Sequence, residues 1–237
     1  MSDRIIDVRG DGRASGIDRA VAALRGGQIV ALPTDTVYGV AADAFSREGT
    51  RRIFEAKQRA WDVPLPILVR TPKQLVGICP RVPESAERLM AAYWPGALTL
   101  VITEQPGLSW NIGNSQRTVA VRMPLDDVAL AVIRAVGPLA VTSANVSGRP
   151  PATTAAEAAE QLGEHVSVVL DDGERTGGAP STIVDLTRDE PEILRAGDLD
   201  PDDVLAVARG ELDPIAASAR VAGGDADRTG DGEPDGR

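Results

Sequence analysis

From residue 16 onward the chain alternates helix-period and strand-period segments separated by short, punctuated joints. That alternation constrains the fold most, because strands linked through helices build a layered α/β sheet. "GIDRAVAALRGG" has helical spacing at Ile17, Val21 and Leu24 and stops at Gly26-Gly27, and "QIVAL" follows as a buried strand. Ser46 caps a helix that carries Ile53 and Phe54 towards Lys57, and "LPILV" reads as the next strand. Further strands are expected at 97–103, 118–123, 138–143, 166–171, 181–186 and 192–197, with helices near 84–94, 125–136 and 153–162. A last helix, with Asp200 as N-cap and Pro201 at its first position, ends at Gly210. One α/β domain is therefore expected over 1–210. Beyond it "GGDADRTGDGEPDGR" has no apolar period, so 211–237 is expected to be a disordered acidic tail rich in Gly and Asp.

Composition removes several kinds of chemistry. Cys79 and His165 are each the only residue of their type, which excludes an internal disulfide and nearly excludes a zinc site of Cys and His ligands. A serine hydrolase would have to use His165, and no G-x-S-x-G elbow is present. The formal charge of -10 argues against coating nucleic acid, leaving room for at most a weak, local RNA contact. No run of about 18 apolar residues and no signal peptide occurs, so the expectation is a cytoplasmic protein with no membrane span.

What remains is hydroxyls, amides, carboxylates and cations, gathered in short polar stretches at strand ends, where α/β sheets tend to place ligands. Only two of the 25 basic residues are lysines, Lys57 and Lys73, so "KQR" (57–59) needs a reason. Pro64 and Pro66 stiffen the chain just after it. Lys57 and Arg59 read equally well as cations complementing a helix C-terminus or as a point charge and a fork for phosphates. "TSANVSG" puts Ser143, Asn145 and Ser147 on one face of an extended chain, or is simply a polar turn. Neither G-x-x-x-x-G-K-[ST] nor G-x-G-x-x-G occurs, so any nucleotide would be held by side chains.

Taken in order, "PTDTVYG", "KQR" with "PLPILV", "WPGALTLVI", "VAVRMP", "TSANVSGRPPAT", "PSTIVDL" and "LRAG" closely resemble the YrdC-like family of L-threonylcarbamoyladenylate synthases, over roughly residues 16–200. The resemblance implies a single α/β domain with an open, twisted mixed sheet, flanking helices and a concave active site. It implies a nucleotidyltransferase that condenses L-threonine, bicarbonate or CO2 and ATP into threonylcarbamoyl-AMP with release of pyrophosphate. The product would pass to a transferase complex that modifies the adenosine beside a tRNA anticodon. By the same resemblance Lys57 and Arg59 face the ATP phosphates, and Thr118, Asn145, Thr153 and Arg195 contact the nucleotide. Thr36, Arg122, Ser143 and Ser181 surround threonine, with Arg122 suited to its carboxylate. Mg²⁺ would enter with ATP, with no protein side chain identified as its ligand.

The chain departs from the pattern at two positions, where many relatives carry a polar residue and a histidine and this sequence has Val63 and Leu68. Some relatives also have a second C-terminal domain that closes over the site, and closure of that kind is not expected from the tail seen here. The readings set against this one are a double-stranded-RNA-binding or ribosome-assembly protein and a carbamoyl-transferring enzyme with another acceptor.

Overall fold

The structure is a computed structural model that describes residues 4–176 and 179–227. Its centre is a ten-stranded mixed sheet of β1 (Ile5–Asp7), β2 (Ile29–Leu32), β3 (Gly39–Asp43), β4 (Ile67–Leu68), β5 (Leu98–Thr103), β6 (Thr118–Arg122), β7 (Leu139–Ser143), β8 (Val166–Asp171), β9 (Thr182–Asp185) and β10 (Glu192–Arg195). Their spatial order is β1-β8-β2-β3-β7-β4-β6-β5-β9-β10. The helices are α1 (Arg13–Arg25), α2 (Arg47–Lys57), α3 (Glu84–Tyr93), α4 (Asp127–Val136), α5 (Ala155–Leu162), α6 (Pro201–Arg209) and α7 (Pro214–Asp227).

Two cores, one on each face, hold the sheet. Along β2 the side chains alternate, Ile29 and Ala31 entering one core and Val30 and Leu32 the other, as a period of two requires. Against the second face α1 and α4 lay Val21, Leu24, Val128, Val132 and Ile133. The larger core on the first face takes Ile53 and Phe54 of α2, Leu89 of α3 and Val204 of α6. Burial on both sides is why β2 reads as an unbroken apolar run, with Ile29, Val30 and Leu32 each contributing about 1.5–3 kcal/mol. Caps end the helices where the sequence suggests: Ser46 Oγ accepts the Gly49 amide at 3.1 Å, and Asp200 accepts those of Asp202 and Asp203.

Three elements depart from expectation. β1 is a three-residue edge strand held parallel to β8. β3, "GVAAD", carries one β-branched residue and no alternation, yet it is central, paired antiparallel with both β2 and β7. Its small residues suit a tight approach: a Cβ on Gly39 would stand 2.7 Å from Val141 Cγ1. The expectation of a disordered segment from 211 is corrected over 214–227 by α7. Asp213 accepts the amides of Ile215 and Ala216, Pro214 takes the first helical position, and the Asp-Pro start of α6 is thereby repeated. Ala217 is buried, α7 packs on α3, and Arg220 Nη1 lies 2.6 Å from Asp203 Oδ1. The rest of the expected tail, 228–237, lies outside the described residues. Among those described, no helix is long and apolar enough to cross a membrane.

Candidate active site

Because β2 and β3 are antiparallel, with Leu32 opposite Gly39, the "PTDTVY" segment becomes the loop that closes their hairpin. Thr34 makes it compact: its hydroxyl donates to Val37 O at 2.6 Å and accepts the amides of Thr36 and Val37. Arg122, at the end of β6, is held at three points. Nε donates to Gly96 O (2.9 Å), Nη1 to Thr36 Oγ1 (3.2 Å) and Nη2 to Asp35 Oδ1 (2.6 Å). The Arg122–Asp35 pair is nearly buried, with side-chain exposures of 8% and 13%. Sequence reasoning missed Asp35 as a site residue, although it stands inside a motif already marked; only the fold shows what it faces.

Facing this loop is a second wall built from β5, β9 and β10. Arg195 grips Ser181, with Nε and Nη2 donating to its carbonyl and Nη2 also to its Oγ at 3.1 Å. Ser181 Oγ lies 2.8 Å from Thr99 Oγ1. Gly197 is required because a Cβ there would collide with the Pro180–Thr182 backbone, which accounts for the glycine of "LRAG". Burial, and secondarily the nearby Arg122, lower the pKa of Arg195.

Between the walls is a cavity of about 270 Å³. Five of the expected site residues line it, namely Thr36, Arg122, Ser143, Ser181 and Arg195. Arg195, expected beside the nucleotide, therefore shares a wall with the expected threonine residues. Leu68, Val141 and Ile183 give the cavity an apolar side, and Thr34, Thr99 and Thr142 add hydroxyls that sequence reasoning had not singled out. Leu68 thus stands in the cavity wall, whereas the Val63 side chain is exposed and outside the lining, its carbonyl accepting from Arg59.

The other five lie outside the cavity lining, and two of them hold a turn that borders it. Lys57 is buried at the end of α2, where Gln58 adopts a left-handed φ of 51° and reverses the chain. Its ammonium donates to Ser143 O, to Asn145 O at 2.7 Å and to Asn145 Oδ1 at 3.2 Å. The Asn145 amide in turn donates to Val146 O and Arg149 O. The two short motifs are therefore one unit: Lys57 staples the Ser-Ala-Asn turn to the helix end. Burial and, next, Arg59 push the Lys57 pKa down to about 7. Arg59 donates to Val63 O (2.8 Å) and Pro64 O (2.9 Å), fixing the Pro-stiffened segment, and Trp61 packs on Phe54 with ring centroids 4.3 Å apart. Thr118 begins β6 at the opposite end from Arg122 and donates to Ser115 O. Thr153 donates twice to Glu157 at the start of α5.

A family model for Sua5, YciO and YrdC proteins, described as "Telomere recombination", matches residues 22–197. The chain belongs to this Sua5/YciO/YrdC family. Within the family it is 50% identical over 187 residues to a putative threonylcarbamoyl-AMP synthase of Mycobacterium leprae (strain TN), covering 79% of this chain and 85% of that one. It is 39% identical over 193 residues to the threonylcarbamoyl-AMP synthase of Bacillus subtilis (strain 168), covering 81% and 56%. A solved family structure, Sua5 of P. abyssi complexed with L-threonine, superposes with a TM-score of 0.81 at 40% identity, covering 86% of this chain and 60% of that one. The open ten-stranded sheet with its flanking helices is thus the YrdC-type domain, and the cavity lies within it.

Proposed function

We propose that this protein is an L-threonylcarbamoyladenylate synthase, joining L-threonine, bicarbonate or CO2 and ATP with release of pyrophosphate. The observation that carries the reading is the cavity itself, which sets Arg122 and Arg195 beside a cluster of hydroxyls and an apolar side in a space sized for a small hydroxy amino acid. The relatives named threonylcarbamoyl-AMP synthase and the threonine complex of the P. abyssi protein support it.

On this reading Arg122, its orientation fixed at Gly96, Thr36 and Asp35, binds the threonine carboxylate. The neutral amine adds to CO2 and gives up a proton to water to form the carbamate, a carbamate oxygen attacks the α-phosphorus of ATP, and the bond from that phosphorus to the α–β bridging oxygen breaks to release pyrophosphate. The carbamate is short-lived in water, so the Leu68, Val141 and Ile183 side of the cavity serves to keep water away until attack. On the proposed phosphate side, Arg59 would meet developing phosphate charge, while Lys57, its protons engaged by Ser143 and Asn145, holds the turn in place. Thr118, Asn145 and Thr153 complete the proposed nucleotide side, and Asn145 acts chiefly by holding the turn.

Among the described residues no group of three or more His, Cys, Asp or Glu is placed to hold a metal, and the groups at the proposed phosphate side are cations. Magnesium would arrive as MgATP, carried by the phosphates, where it would offset their charge. The product, a reactive mixed anhydride, would be consumed by a transferase acting on tRNA. Purified protein incubated with ATP, bicarbonate and each amino acid in turn should release pyrophosphate only when threonine and bicarbonate are both present. Release that ignores bicarbonate, or that prefers another acceptor, would overturn the assignment.

A further inference from the structure

We propose that Thr99 is a specificity-determining residue: together with Ser181 it forms a two-hydroxyl receptor for the side-chain hydroxyl of the amino-acid substrate. The proposal deepens the reading above and rests on it.

Both residues line the cavity and both are nearly buried, Thr99 at 4% and Ser181 at 6% exposure. β5 and β9 run parallel, with Leu98 opposite Thr182 and Thr99 opposite Ile183, and this pairing brings the two hydroxyls to 2.8 Å. The pair has two protons and four lone pairs. Their mutual bond uses one proton and one lone pair. Arg195, a donor only, takes a second lone pair on Ser181 through Nη2. Among the described residues neither hydroxyl makes another hydrogen bond. Whichever of the two donates to the other, one O–H and two lone pairs of this cavity-lining pair have no protein partner among the described residues.

A substrate hydroxyl matches that remainder, since it can accept the free proton and donate to a free lone pair. Threonine and serine both satisfy it. Valine, nearly the same shape as threonine, would strand a buried donor, and such mismatches are heavily discriminated against. Arg195 makes the receptor directional by fixing Ser181 at both its carbonyl and its hydroxyl. Thr99 supplies the second hydroxyl, without which only a single contact is left.

The test compares kcat/KM for L-threonine and L-valine, read as pyrophosphate release, in wild type, Thr99→Val and Thr99→Ser. Thr99→Val should narrow the threonine-to-valine ratio by about 5- to 150-fold with the KM for ATP unchanged. Thr99→Ser should restore the wild-type ratio. If Thr99→Val folds poorly, Thr99→Cys keeps the volume, weakens the hydrogen bond and should narrow the ratio in the same direction. An unchanged ratio in Thr99→Val, or the same loss in Thr99→Ser, would overturn the proposal, the latter by assigning the effect to packing of the methyl group. A wild-type protein with no threonine-dependent release would sink the synthase reading instead. Calorimetric binding of threonine and valine to the same variants then judges the hydroxyl pair by itself, a narrowed affinity ratio in Thr99→Val supporting it and an unchanged one overturning it.

Discussion

At the residue scale, Lys57 answers why this arginine-rich chain keeps a lysine. A compact ammonium reaches three oxygens around one point, at Ser143 and Asn145, which a planar guanidinium would not match. Those acceptors call for all three protons, while burial lowers the pKa to about 7 from 10.5. Between these values the unfolded chain binds more protons than the folded one, so the Lys57 contribution to stability rises as pH increases from 7 towards 10.5. Urea titrations across this range should show wild type gaining stability relative to Lys57→Met as pH rises; a gap independent of pH would refute the depressed pKa. Arg59 is the complementary case, holding Val63 O and Pro64 O with a two-armed grip that one ammonium cannot reproduce. Arg59→Lys should lower kcat/KM for ATP by at least about tenfold, given about 1.5–3 kcal/mol for hydrogen bonds to a charged group. Full activity would mean that the segment is held without it.

At the scale of elements, α7 has a structural part to play. It buries Ala217 against α3, and Arg220 reaches back to Asp203 on α6, while none of the residues lining the cavity belongs to it. Deleting 213–237 should therefore cost about 1–2 kcal/mol, about 2–8 °C in Tm, and leave kcat/KM of the folded fraction near wild type. Thermal melts and pyrophosphate assays on the truncated chain check both parts, and lost turnover in a well-folded 1–212 chain would place the deleted segment in the chemistry.

For the molecule as a whole, the two proposed substrate sides share one turn. Ser143 lines the cavity while its carbonyl, with the Asn145 carbonyl and amide oxygens, receives Lys57. A ligand that orders this turn from one side lowers the ordering cost for a ligand on the other, so threonine and ATP should bind with positive, reciprocal coupling. Calorimetry should find threonine affinity raised about fivefold or more by a non-hydrolysable ATP analogue, in the usual range of coupling energies. Asn145→Ala, which removes the amide that pins the turn to Arg149, should abolish most of that factor; coupling of wild-type size in the variant would place the link elsewhere.

The sequence by itself determined the α/β class, most helices, the caps of some of them, the outer limits of most strands and the family, because periodicity, capping residues and short motifs are local properties. The missed pieces are those whose signal is not local. "GVAAD" becomes a central strand only because β2 and β7 supply partners on either side and leave no room for larger residues at Gly39. "PIAASARVA" becomes α7 because α3 offers it a surface, although Asp213-Pro214 repeats a start signal already recognised at Asp200-Pro201. In the site, the motifs named the segments but not their contacts. Asp35 gains meaning from Arg122, 87 positions away, and Thr99 from Ser181, 82 positions away. Lys57 and Asn145, two separate motifs along the chain, become one hydrogen-bonded unit. Which hydroxyl faces which, and which charge is left over for a substrate, depends on strand order and register, and those are fixed only when the whole sheet closes around its two cores.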